Sequence, residues 1–97
     1  MALKEIKKLF REFEAAERLT FEADQKWAAD PDNETFEDVW DEQYDKMFEK
    51  QTELIEAVYE YVGNNLCKDM IYTMLKRQRV AFKNLIENAA FYEGRKG

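Results

Sequence analysis

Apolar residues recur at steps of three and four along nearly the whole chain, a spacing that predicts helices rather than strands. The first run is Leu3, Ile6, Phe10, Phe13, Thr20 and Trp27, with Leu9, Ala16 and Ala23 beside it, and it predicts one amphipathic helix over about 2–29. It meets Asp30-Pro31-Asp32-Asn33, which holds the single proline. Asp30 offers a capping oxygen, and Pro31 suits a first helical position, where a missing N–H costs nothing. Thr35 followed by Asp38 is a second capping candidate. The next run, Trp40, Tyr44, Met47, Gln51, Leu54, Val58 and Tyr61, alternates steps of four and three, a heptad seam in a helix over about 34–62. Gly63 suits a left-handed stop, and Asn65 a cap for the next helix. Cys67, Ile71, Met74, Gln78, Ala81, Leu85, Asn88 and Tyr92 then predict a third helix over about 66–92. Three long helices and two tight turns predict an all-α, antiparallel up-down-up three-helix bundle in one domain.

Folding the second and third helices about the turn near Asn64 pairs Tyr61 with Cys67, Val58 with Ile71, Leu54 with Met74, and Met47 with Ala81. Gln51 and Gln78 then share one buried layer, where two amides satisfy each other and avoid the cost of a lone buried polar group. The same folding about the first turn brings Phe13 to that layer and Trp27 opposite Phe36, with Trp27 and Trp40 plugging the bundle end. Charges agree with this register: Lys68 faces Glu60, Arg79 faces Glu49, and Lys83 faces Asp45. A second apolar stripe, rotated from the seam, runs through Tyr72, Leu75, Phe82 and Ile86, with Phe48, Ile55, Tyr59 and Val62 its counterpart on the second helix. It serves either as the wide face a helix with two neighbours needs, or as a docking surface for a second copy or a partner protein.

Composition narrows the functional classes. The chain has 97 residues, 45% of them hydrophobic and 14% aromatic, enough for a packed core despite 37% charged residues. Charge is unevenly spread: residues 22–60 carry fourteen acids and three bases, whereas residues 61–97 carry three acids and seven bases. That balance argues against direct binding to nucleic acid, which requires a basic face. The lone Cys67 excludes an internal disulfide and reads as a small core residue, and with no histidine the commonest general base and metal ligand is missing. No apolar run reaches membrane-spanning length, and the first residues, Met1-Ala-Leu-Lys-Glu-Ile, lack the apolar stretch of a signal peptide. These features predict a cytoplasmic protein.

Three constellations bear on chemistry. Asp38, Glu42, Asp45, Glu49, Glu53, Glu56 and Glu60 form an acidic row at helical spacing, which either balances basic residues on the third helix or imitates a nucleic-acid backbone for a DNA-binding protein. Lys76-Arg77-Gln78-Arg79 with Lys83 is the basic cluster, read as the partner of that row. Asp30 to Glu34 has the oxygens that open a calcium loop but lacks the glycine and glutamate that complete one, so capping explains it.

Glu14-x-x-Glu17 and Glu42-x-x-Asp45 are similar to the carboxylate signature of helical nucleotide pyrophosphohydrolases of the MazG type. That resemblance is confined to four residues and implies Mg²⁺-dependent hydrolysis of nucleoside triphosphates. The helical register sets Glu42 and Asp45 on an outer face, away from Glu17. The residues thus predict a non-enzymatic helical interaction or accessory protein with no cofactor, either a monomer or a homodimer.

Overall fold

The computed structural model describes residues 3–62 and 66–87. All regular structure among them is helical: α1 (Leu3–Ala29), α2 (Glu34–Tyr61), α3 (Lys68–Arg77) and α4 (Arg79–Glu87). Gly63, Asn65 and residues 88–92, expected to form a stop, a cap and the end of the third helix, lie outside the described residues.

α1 and α2 form an antiparallel hairpin, each roughly 40 Å long at 1.5 Å per residue. α1 closes as the Asp30 N–H donates to the Lys26 and Trp27 carbonyls at 3.2 and 3.1 Å. The cap of α2 is Asn33, which replaces both expected candidates. Its extended backbone lets the side-chain oxygen accept from the Thr35 and Phe36 N–H groups at 3.0 and 3.3 Å. Pro31 stays in the turn, and Glu34 and Glu37 place negative charge where the helix N-terminus is positive.

Small residues set how closely the two long helices approach. Ala16, Thr20 and Ala23 are buried in a row along α1. The Thr20 hydroxyl lies 2.8 Å from the Ala16 carbonyl and 3.0 Å from the Gln43 carbonyl of α2, one proton shared between two acceptors. The Lys50 ammonium meets Glu12 at 3.0 Å farther along the same seam.

The expected third helix is two helices. It breaks at Gln78 (φ −132°, ψ 62°), where the chain doubles back. Hydrogen bonding continues on both sides of the break: the Gln78 N–H donates to Met74, and its carbonyl accepts from Phe82. α3 runs back along α2, starting with the Lys68 ammonium 5.3 Å from the Tyr59 ring centroid. α4 runs back along α1, from Arg79 beside Glu17, through Phe82 against Phe10 (centroids 5.1 Å apart), to Ile86 over Leu3 and Ile6.

This reversal changes which stripe is buried. Leu75, Phe82 and Ile86 join Ile71 and Leu85 in the core, with Ile6, Phe10 and Phe13 from α1, Leu54, Ile55 and Val58 from α2, and Val62 just past its end. Gln78 is exposed while Gln51 is buried, so the two amides do not share a buried layer. The physical reason is apolar area. A straight helix would bury Gln78 and Ala81, whereas the bend buries Phe82 and Ile86, and fully burying such side chains is worth about 1.5–3 kcal/mol each.

Candidate interaction surface

α3 and α4 cover only the half of the hairpin nearest Leu3 and Val62. On α2, Thr52, Ile55 and Glu56 share a recess with Lys68, Asp69 and Tyr72 of α3. Helical spacing carries the Thr52 ridge back to Phe48, Tyr44 and Trp40, beyond the point where α3 ends. On α1, Glu14 and Glu17 meet Arg79 at the start of α4, and one turn later the same ridge presents Phe21, beyond the reach of α4. Phe21 is 61% exposed, Phe48 55% and Tyr44 43%. Ring contacts join Tyr44 to the two tryptophans. Trp40 stacks on Tyr44 at 5.4 Å between centroids, and Trp27 lies 5.3 Å from Trp40. Trp27 and Trp40, the pair expected to plug this end, are thus in ring contact. Helical spacing thus sets Phe21, Trp40, Tyr44 and Phe48 along the groove between α1 and α2, an aromatic trough on the side that α3 and α4 cover farther along.

The trough has an acidic rim. Glu37, Asp41 and Asp45, all exposed, run beside the Trp40–Tyr44–Phe48 row at one residue per turn. Residues 22–49 as a whole carry eleven carboxylates against Lys26 and Lys46.

The surface expected from sequence does not form as one patch. Ile55, Val62, Leu75, Phe82 and Ile86 are core residues, because α3 and α4 pack back against the hairpin, and a buried side chain cannot dock a partner. Tyr59 is half-buried, and Phe48 and Tyr72 are exposed. Phe21 fell outside the expected surface, although its spacing from Glu14 and Glu17 puts it on their row. Cys67 is exposed rather than part of the core, since α3 begins just beyond it.

The basic cluster also finds other partners. Arg79 pairs with Glu17 (Nη2 to Oε2, 2.9 Å) and Glu14 (3.3 Å) of α1, not with Glu49, and its Nε–H donates to the Leu75 carbonyl at 2.8 Å. Partial burial disfavours its charge, but the hydrogen bonds and charges of Glu17 and Glu14 outweigh that and raise its pKa. Lys76 and Arg79 lie over the Phe13 ring at 5.7 and 5.5 Å, and Lys83 over Phe10 at 5.9 Å. The expected partners of Arg79 and Lys83 were on the second helix; the reversal at Gln78 carries both to α1 instead.

The four carboxylates of the MazG-like pattern do not converge. Glu14 and Glu17 hold the Arg79 guanidinium, while Glu42 is exposed and paired with Lys46 on its own helix at 3.2 Å. Among the described residues, no three acidic, histidine or cysteine side chains gather where they could hold a metal ion. No helix there is long and apolar enough to cross a membrane. No family model matches the chain, and no curated protein or solved structure matches it.

Proposed function

We propose that this chain is a small non-enzymatic interaction protein of the cytoplasm, a helical bundle that binds a partner protein through the aromatic trough of the α1–α2 hairpin. The observation that carries this reading is the set of exposed rings, Phe21, Tyr44 and Phe48, continuing the ridges that α3 and α4 cover elsewhere. Contiguous exposed aromatic surface of this kind is the usual mark of a binding site.

The test compares native-host proteins retained by the wild-type chain with those retained by a Tyr44→Glu/Phe48→Glu variant, both side chains being exposed and replaceable without loss of core. A discrete stoichiometric partner lost with the variant, and retained by a Tyr72→Glu control on α3, supports the reading. Identical retention by all three chains overturns it.

A second reading rests on the acidic row of α2. Every member from Asp38 to Glu60 is exposed, a continuous negative face suited to imitating a nucleic-acid backbone. Capture of a DNA-binding protein that weakens steeply with salt and survives the Tyr44/Phe48 double substitution favours it over the trough.

A further inference from the structure

We infer that the occupant of the trough is a cationic amphipathic helix of another protein, laid along the half of the hairpin that α3 and α4 leave bare. This inference rests on the trough being the working surface and adds the chemistry of what fills it. The protein itself supplies the precedent. Where the hairpin is covered, its partners are two short helices that set apolar side chains between the ridges and cations over the rings. Phe82 lies against Phe10, Lys68 over Tyr59, Lys76 over Phe13, and Arg79 spans two glutamates. The bare half repeats that chemistry without the partner: Phe21, Trp40, Tyr44 and Phe48 offer rings, and Glu37, Asp41 and Asp45 offer carboxylates beside them. Cations over aromatic faces and apolar anchors at helical spacing are how an amphipathic helix is held in a groove.

Length and charge select among occupants. Residues 18–29 of α1 lie beyond Glu17, the last α1 residue that Arg79 touches. Twelve helical residues span about 18 Å, so the trough seats a helix of roughly three turns. A second copy docked through the same surface would set Glu37, Asp41 and Asp45 against an identical acidic row. That like-charge approach is unfavourable, whereas a basic segment is drawn in. An anionic lipid surface or a nucleic acid is repelled for the same reason.

Both tryptophans of the chain, Trp27 and Trp40, stand at this surface, so their emission reports its occupancy. The probe is a synthetic peptide of about 14 residues, long enough for the trough at 1.5 Å per residue, with leucine on one helical face and lysine on the other. Two controls have the same composition in scrambled order, or glutamate in place of lysine. The expected result is a saturable emission change at one peptide per chain, with either control weaker by about tenfold or more. Tyr44→Glu/Phe48→Glu abolishes the change. Glu37→Gln/Asp41→Asn/Asp45→Asn weakens binding and flattens its salt dependence while the circular dichroism stays that of the wild type.

Equal binding of the scrambled or acidic peptide, binding that survives the double substitution, or no emission change at all overturns the inference. So does a sedimentation dimer that Phe48→Glu dissociates, which would make a second copy the occupant. If the lysine peptide fails while a native partner is still lost with Tyr44→Glu/Phe48→Glu, the cationic occupant falls and the interaction reading stands. If both fail, both fall.

Discussion

Arg79 ties the start of α4 to both α3 and α1. Its Nε–H satisfies a carbonyl in the last turn of α3, its two Nη groups bridge Glu14 and Glu17 of α1, and its plane lies over Phe10 and Phe13. Arg79→Ala leaves these groups unpaired at the joint, and because the three side chains are 27–38% exposed the cost is at the lower end of about 1–3 kcal/mol in urea unfolding. Arg79→Lys recovers little of it, since an ammonium cannot reproduce the planar fork. The raised pKa has no consequence near neutrality. Its contribution is complete below the ordinary arginine value and is lost only as pH rises through the still higher folded value. Two phenylalanines separate core from surface. Phe82→Ala is expected to cost about 3–5 kcal/mol, since the ring is wholly buried. Phe48→Ala, on an exposed ring, should stay within about 0.5 kcal/mol of wild type. Similar costs for the two would mean that the trough is part of the core.

Among the elements, the long hairpin was largely legible and the third segment was not. The proline and the polar cluster around it mark the first turn, and heptad spacing fixes α1 and α2. Four side chains of capping type crowd that turn, and only backbone geometry distinguishes Asn33 from Asp30. Asn33→Ala should cost about 0.5–2 kcal/mol and Asn33→Asp almost nothing, both measurable by thermal unfolding. In the third segment two apolar stripes compete, and neither glycine nor proline marks Gln78 as a break. Period alone chose the seam through Gln78, whereas burial favoured Phe82 and Ile86. The trough arises from that same reversal, so no reading that kept the helix straight could place it. The hairpin also has a small acid-sensitive fastening. Glu12 has its pKa lowered, chiefly by the hydrogen bond from Lys50, so its contribution is present above the ordinary glutamate range and fades as pH falls through the folded value. A Glu12→Gln chain should therefore lose less stability than wild type between neutral and acid pH, which paired chemical denaturation curves would show.

At the scale of the whole molecule, packing is concentrated at one end. From Met47 onward α2 is buried at six positions, and it has none before that. Opening free energies track buried contacts. Hydrogen exchange should accordingly be slowest around Leu54, Val58 and Phe13, and faster by orders of magnitude between about 36 and 44 on α2. Uniform protection along α2 would contradict the division into a covered and a bare half.

Ala16, Thr20 and Ala23 have a bearing on how an incoming helix would be received. Side chains this small bring the two backbones together, and the shared Thr20 proton ties them at the boundary of the bare half. The arms of the hairpin are thus braced against splaying without a third helix between them. A visitor meets two helices already paired through these residues, and no loop or strand has to settle first. Capture should then be governed by how fast the two molecules find each other, and by the long reach of their opposite charges, rather than by any slow rearrangement of the host.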